Sequence, residues 1–110
     1  MERFVKGDVV IIHFPFSDLT GVEKRPALVL LDLGGEDILL CQITSNPYND
    51  KQKMPIREED FNKGKLKQNS FVRPLNLFTG DYSLIEYKAG SLKQEKINEV
   101  IERICELLRN

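Results

Sequence analysis

The dipeptide Arg25-Pro26 lies where a polar, glycine-containing loop meets an apolar run, within the stretch of residues 17 to 30. A short apolar run after a turn is typical of a buried strand. Pro26 restricts the residue before it to extended backbone, so the Arg25 side chain should leave the loop in a nearly fixed direction. A guanidinium held in this way, with five donors in a rigid fork, suits a phosphate. An exposed arginine beside a turn is the alternative interpretation.

A second polar group follows the next strand pattern. The apolar run after the predicted turn at 33–37 ends in Thr44-Ser45-Asn46-Pro47, which places two hydroxyls and a carboxamide at a strand end. If the strands on either side of that turn form an antiparallel hairpin, Arg25 and Thr44 lie near one another at its open end. The alternative is an ordinary strand-ending turn, for which these residue types are equally well suited.

Two further residues could take part in chemistry. His13 is the only histidine and ends the first strand pattern, where it could act as a general acid or base. A half-buried histidine with a structural hydrogen bond is the commoner arrangement. Arg73-Pro74 repeats the Arg-Pro dipeptide at another strand, so the argument about side-chain direction applies to Arg73 as well.

The composition indicates one globular domain over residues 1–110, with 41% hydrophobic and 30% charged residues. Its longest apolar runs are far shorter than the roughly 20 residues needed to cross a bilayer. The N-terminus has no apolar signal region, so a cytoplasmic protein without a membrane partner is expected. Cys41 and Cys105 lack metal-ligand spacing and are predicted to be buried apolar residues, with no metal site or disulfide.

The net charge of −1 hides an uneven distribution. Residues 51–73 carry seven Lys/Arg against three Asp/Glu, whereas residues 1–50 carry four against eight. Neutralisation of phosphates by Lys and Arg supplies most of the non-specific affinity for nucleic acids, so the middle segment is the part that would attract one. A solvated charged surface is the alternative interpretation.

Hydrophobic periodicity predicts a mainly β protein with a terminal helix. Strands are predicted at 9–14, 27–32, 38–44, 53–56, 70–75 and 84–88, with a turn at Thr79-Gly80-Asp81. Apart from its one strand, the segment 48–69 is predicted to be a mobile polar excursion. Ser91 and Gln94 have the capping-box spacing, which predicts a helix that begins after Ser91. Ile97, Ile101, Ile104 and Leu108 would pack on the sheet, and the opposite face, which includes Lys96, would be solvated.

The motifs together resemble the MazF/PemK family of toxin endoribonucleases from toxin–antitoxin pairs. They are Lys6-Gly7-Asp8-Val9-Val10, Phe14-Pro15-Phe16-Ser17-Asp18, Lys24-Arg25-Pro26-Ala27-Leu28-Val29-Leu30, Gln42-Ile43-Thr44-Ser45 and Ser70-Phe71-Val72-Arg73-Pro74. The resemblance implies a small SH3-like barrel of antiparallel strands with a C-terminal helix packed on the sheet. It also implies a homodimer that cuts single-stranded RNA without a metal or other cofactor and is neutralised by a cognate antitoxin.

The resemblance also implies roles for single residues. Arg25 matches the family's catalytic arginine and Thr44 its strand-end threonine. The implied reaction is attack of a ribose 2′-hydroxyl on the adjacent phosphorus, which leaves a 2′,3′-cyclic phosphate and a 5′-hydroxyl. Phe16 and Tyr48 are available to stack on splayed bases. The residues predicted to bind RNA are Phe16, Ser17, Lys24, Ser45, Asn46, Tyr48 and Arg73.

The sequence departs from the family pattern at two positions. Thr20 stands where many members have a glutamate five positions ahead of the arginine, and Arg73 stands where several have an acid. The resemblance therefore identifies no general base, and His13 is the candidate substitute. The alternatives are a non-catalytic RNA-binding or regulatory barrel and a topoisomerase-poisoning relative of the same fold. Such relatives act through a tryptophan-bearing C-terminal tail, whereas this chain has no tryptophan.

Overall fold

The structure is a computed structural model that describes residues 3–14, 23–47 and 49–110. These residues form seven antiparallel strands in one curled sheet and one α-helix. The elements are β1 (Asp8–Phe14), β2 (Glu23–Asp32), β3 (Asp37–Thr44), β4 (Met54–Ile56), β5 (Phe61–Gly64), β6 (Ser70–Asp81), β7 (Ile85–Leu92) and α1 (Gln94–Arg109), with 3₁₀ turns at Glu58–Asp60 and Tyr82–Leu84.

The order of the strands explains the curl. The sheet runs β4-β6-β3-β2-β1-β7-β5, so β4 and β5 are its two edge strands. Only residues 57–60 connect them in sequence, and a linker this short has a small reach. The sheet must therefore bend until its two edges approach each other. The predicted small antiparallel barrel with a C-terminal helix is confirmed.

Both faces of the sheet are buried, which accounts for the uninterrupted apolar runs in the sequence. Successive side chains of a strand point to opposite faces, and they supply two separate cores. The inner core contains Val9, Leu28, Leu30, Cys41, Ile43 and Val72 with residues of β4, β5 and α1, among them Ile97, Val100 and Ile104. The outer core contains Val10, Ile12, Ala27, Val29, Ile38 and Leu40, against which Phe4, Phe78, Tyr82 and Ile85 pack.

Strands β2 and β6 are longer than predicted, and each contains a proline. β2 begins at Glu23 and includes Pro26, which pairs with Ile11 of β1. On the other side the ladder to β3 begins at Ala27, so a proline there removes no hydrogen bond. β6 continues to Asp81 past Pro74, which lies at a register shift between β3 and β6.

The predictions for the turn at residues 79–81 and for the helix start were wrong. Thr79 and Gly80 pair with β3, and the chain turns instead at Tyr82–Leu84, where the Asp81 carboxylate accepts from the Ser83 amide. Ser91 does not cap α1, because it is a β7 residue paired with both β1 and β5. The helix begins at Gln94, with Lys93 at the N-cap.

The predicted solvation of Lys96 was also wrong. This side chain is only 7% exposed, and its ammonium lies 3.3 Å from Glu99 and 3.8 Å from Asp60. Asp60 belongs to the 3₁₀ turn between β4 and β5, and its carbonyl accepts from the Lys93 amide. The helix face predicted to be solvated therefore carries one buried cation that ties α1 to the β4–β5 connection.

The segment after residue 48 is more ordered in structure than its polarity suggests. It contains β4, a 3₁₀ turn and β5 rather than a single strand. Gly64 ends β5 with φ of +74°, and a Cβ there would collide with the Ala89 carbonyl and the Gly90 Cα of β7. A glycine is therefore required where β5 closes on β7. Among the described residues, no helix has the length and apolar character to cross a membrane.

Candidate active site

The open end of the β2–β3 hairpin forms a groove of about 330 Å³ on the outer face of the sheet. Ala27 pairs with Gln42 in this ladder, so Arg25 and Thr44 occupy the next position on the same face. The predicted proximity of these two residues is what the structure shows. The groove is lined by Lys24, Arg25, Pro26, Gln42, Ile43, Thr44, Ser45, Asn46 and Arg73.

The Thr44 hydroxyl is oriented by the turn that ends β3. Its oxygen accepts from the Asn46 amide at 3.1 Å and lies 3.3 Å from the Asn46 carbonyl, to which it can donate. The interpretation of residues 44–47 as a strand-ending turn is thus also correct. The two interpretations are compatible, because the turn holds the hydroxyl in the groove.

Arg73 is held in the groove by side chains of two other segments. Its Nε donates to the Asp50 carboxylate at 2.8 Å, and a terminal nitrogen donates to Gln42 Oε1 at 2.9 Å. The Asn76 amide donates to the same Gln42 oxygen. The hydrogen bond from Arg73 holds the pKa of Asp50 below its usual range.

Arg73 also separates the candidate site from a second groove of about 500 Å³. Asp50 and Asn76 line this neighbouring groove together with an exposed Leu75. The guanidinium therefore contacts both spaces, and a ligand that extends from one to the other would pass over it.

His13 does not line the candidate groove. Its Nε2 lies 3.1 Å from Glu86 on β7, and the same carboxylate accepts from Lys24 Nζ at 2.9 Å. The hydrogen bond with Glu86 raises the pKa of Lys24. The structure thus joins His13 and Lys24 through Glu86, and it brings only Lys24 of the pair to the groove.

The other predicted site residues divide into two sets. Lys24, Arg25, Thr44, Ser45, Asn46 and Arg73 line one groove, whereas Phe16, Ser17 and Tyr48 lie outside the described residues. The sequence patterns predicted no role for Gln42, Asp50 or Asn76. Gln42 could have been found by the two-residue period that puts it on the same face as Thr44. Asp50 comes from a loop, and no local pattern indicates its partner.

The described lining residues provide cations, hydroxyls and amides but no carboxylate or imidazole. Within 3–14, 23–47 and 49–110, no three His, Cys, Asp or Glu side chains are grouped as metal ligands would be. The buried Cys41 lies beneath the site and donates to the Arg73 carbonyl at 3.1 Å. Burial raises the pKa of its thiol to about 12, which excludes it as a nucleophile near neutral pH.

Comparisons with known proteins identify the family of this chain. The family model for the PemK-like, MazF-like toxin of type II toxin–antitoxin systems matches residues 5–108. Comparison with curated proteins gives no significant sequence match.

Three solved structures have the same fold as this chain. An endoribonuclease in complex with its cognate antitoxin from a mycobacterial species gives a TM-score of 0.72 at 14% identity, with 96% of this chain and 95% of that chain covered. A MazE–MazF complex of Deinococcus radiodurans gives a TM-score of 0.71 at 21% identity, with 94% of this chain and 94% of that chain covered. The Mycobacterium tuberculosis toxin MazF-mt6 gives a TM-score of 0.71 at 18% identity, with 93% of this chain and 96% of that chain covered.

At these identities the solved structures show the fold alone. The family assignment depends on the sequence match, which covers nearly the whole of the 110 residues. It agrees with the fold that the chain shares with these structures. The chain therefore belongs to the PemK-like, MazF-like toxin family of type II toxin–antitoxin systems.

Proposed function

We propose that this toxin is an endoribonuclease that cuts single-stranded RNA at the groove between Arg25 and Thr44. The observation that carries the proposal is the grouping of two guanidinium groups with the hydroxyls of a strand-end turn in one groove. A guanidinium fork matches the oxygens of a phosphate, and hydroxyls can bind the remaining oxygens. Single-stranded RNA supplies both the phosphate and a neighbouring nucleophile, its 2′-hydroxyl.

The reaction is an internal transesterification. The ribose 2′-oxygen attacks the adjacent phosphorus, the bond from phosphorus to the 5′-oxygen breaks, and the products are a 2′,3′-cyclic phosphate and a 5′-hydroxyl. A proton leaves the 2′-oxygen and another is added to the 5′-oxygen. We assign no residue to these proton transfers, because no carboxylate or imidazole among the described residues lines the groove.

Arg25 stabilises the negative charge that develops on the phosphorane. It lines the same groove as Thr44, so Arg25 and, when its hydroxyl proton turns away from the Asn46 carbonyl, Thr44 can donate to non-bridging oxygens of one phosphate. Donors fixed before the reaction stabilise a transition state at little cost in reorganisation. Thr44 is fixed by its turn, and Pro26 limits the backbone of Arg25. Charge stabilisation by the Arg25 guanidinium is thus the main catalytic contribution of this groove.

Arg73 binds a flanking phosphate or base edge rather than the reacting oxygens. Asp50 and Gln42 fix the direction of its guanidinium, and the donors not used by these partners can bind the ligand. Lys24, Ser45 and Asn46 complete the RNA-binding surface around the scissile linkage.

The proposed partners follow from the family. Two of the similar structures are complexes with an antitoxin, and we extend this to a cognate antitoxin that covers the groove of this protein. We also propose a homodimer as the active form. Size-exclusion chromatography with light scattering tests the dimer directly.

Incubation of the purified protein with a long RNA in EDTA tests the activity. We expect endonucleolytic cuts whose 5′ ends accept phosphate from polynucleotide kinase without prior dephosphorylation, because they carry a hydroxyl. Mass spectrometry of the upstream fragments should show the mass of a cyclic phosphate. The control is an Arg25→Ala variant purified in the same way.

Two outcomes would contradict the proposal. Equal cutting by Arg25→Ala would show that the activity lies elsewhere or is a contaminant. Binding of RNA without any strand scission would favour the non-catalytic RNA-binding barrel instead.

A further inference from the structure

The inner face of the barrel opens into a groove of about 570 Å³, which we call the barrel mouth. The groove lies next to the inner core, at the end of the β2–β3 hairpin. Side chains two residues apart in a strand share a face, so Pro26 lies on the face of Leu28 and Ser45 on the face of Ile43. The connection between β5 and β6 lies along one side, and β7 lies along the other. A volume of this size is within the range of about 300–1,000 Å³ that is common for ligand sites.

The described charged residues that line the barrel mouth are all lysines. Four lysines line it, namely Lys24, Lys65, Lys67 and Lys88, and no described Asp or Glu does. Lys24 is bound to Glu86, and Lys88 lies 3.6 Å from Asp8. Lys65 and Lys67 are exposed and have no ion-pair partner in the part of the chain that the structure describes. These two cations are therefore available to an anionic ligand.

The barrel mouth also offers an aromatic surface. Tyr87 on β7 is 50% exposed and lies in the lining beside the lysines. A positively charged groove with an exposed aromatic ring is the combination that binds single-stranded nucleic acid, because phosphates pair with the lysines and a base stacks on the ring.

The barrel mouth is continuous with the candidate active site. Lys24, Pro26 and Ser45 line both grooves, so the two spaces meet at the end of the β2–β3 hairpin. A chain bound at the scissile phosphate could cross this rim without leaving the protein surface. This continuity favours an extension of the RNA substrate over a separate ligand.

We propose that the barrel mouth binds the backbone of the RNA segment that flanks the scissile linkage. The inference rests on the proposed ribonuclease function and extends it to a second part of the substrate. Lys65 and Lys67 bind phosphates of this segment, and Tyr87 stacks on one of its bases.

The test uses the full-length protein and fully 2′-O-methylated RNA, which lacks the nucleophile and stays intact. Affinity is measured by fluorescence anisotropy over a range of salt concentrations, with oligonucleotides of about 4 and about 16 nucleotides. Each lost phosphate contact lowers the slope of log affinity against log salt by about 0.7 for a single strand. For the longer RNA, the Lys65→Gln/Lys67→Gln variant should lose about 1.4 from this slope.

Lys6→Gln/Lys93→Gln is the matched control. It also removes two exposed lysines, but neither residue lines the barrel mouth or the candidate active site. We expect this variant to keep the slope of the parent protein with both oligonucleotides. A thermal melt by circular dichroism shows whether each variant keeps the fold.

An unchanged slope of Lys65→Gln/Lys67→Gln with the longer RNA would overturn the inference, even if the parent protein cuts RNA. If the parent protein fails to cut RNA but its slope exceeds that of Lys65→Gln/Lys67→Gln by the expected amount, the proposed function is contradicted while the barrel mouth is supported as an RNA site.

Discussion

Arg25-Pro26 and Arg73-Pro74 are the same dipeptide in two different settings of one sheet. Pro26 lies in a regular part of β2, just before the ladder to β3 begins. Pro74 lies at a register shift in β6 and is completely buried. Both arginines nevertheless line one groove, because β2 and β6 flank β3 on its two sides.

The comparison shows what a proline can and cannot determine. In both dipeptides it limits the backbone of the arginine to extended conformations. It does not choose the partners of the guanidinium, which are set by other segments. For Arg73 these are Asp50 and Gln42, while Arg25 is brought into one groove with Thr44 by the β2–β3 hairpin. In the function we propose, the same dipeptide thus serves transition-state stabilisation in one case and substrate positioning in the other.

The largest expected effect is that of Arg25→Ala on the rate of RNA cleavage. Loss of a donor fixed at the developing charge typically lowers the rate about 10²–10³-fold, and a charged, bidentate donor belongs at the upper end. Single-turnover cleavage with excess enzyme measures this step without a contribution from product release. Arg109→Ala removes an exposed arginine at the end of α1 and should leave the rate unchanged. A loss of less than about tenfold would remove Arg25 from the reaction centre.

Thr44→Val should lower the same rate by about 10²-fold, near the lower end for one oriented donor. Valine keeps the shape but removes the hydroxyl that accepts from the Asn46 amide. Thr44→Ser retains the hydroxyl and should therefore retain most of the activity. If serine and valine are equally impaired, the activity requires the methyl group of Thr44 rather than its hydroxyl, and the hydroxyl does not contact the substrate.

The proximity of Arg25 and Thr44 could be predicted from the sequence because it depends on local features. A turn between two apolar runs predicts a hairpin, and the open end of a hairpin brings together residues at known positions. The same kind of reasoning failed at Ser91 and at Thr79-Gly80. There, pairing with distant strands decides the structure, and local capping or turn preferences are overridden.

The Asp50–Arg73 contact and the barrel mouth could not be predicted from the sequence for a related reason. Asp50 and Arg73 are 23 positions apart, and their contact depends on how β6 and the preceding loop are placed. The lysines of the barrel mouth come from β2, β7 and the β5–β6 connection. The sequence indicated an excess of positive charge in residues 51–73 but not the groove that part of it forms with other strands.

A smaller effect is expected for Arg73→Ala, because we propose that Arg73 positions the substrate rather than the reacting oxygens. We expect the KM for RNA to rise about tenfold, which corresponds to about 1.4 kcal/mol, while kcat changes little. This free energy is at the low end of the range for hydrogen bonds to a charged group, because the Arg73 side chain is 36% exposed to solvent. Gln42→Ala removes one partner of the guanidinium and should raise KM less. A fall of kcat as large as that of Arg25→Ala would abolish the distinction between the two arginines.

The smallest effect concerns the pH dependence of stability. Because Arg73 lowers the pKa of Asp50 in the folded state, ionised Asp50 stabilises the fold above the unfolded-state pKa of about 3.9, and this contribution is lost as pH falls through the folded-state value. The difference in free energy of unfolding between the parent and Asp50→Asn should therefore be constant near neutral pH and shrink below about pH 4. Urea denaturation at a series of pH values measures it, and Glu102→Gln on the exposed face of α1 gives the background effect of removing one carboxylate. A difference that grows on acidification would show that Asp50 does not anchor Arg73 through its charge, and the arginine of β6 would then be as weakly constrained as its sequence alone implies.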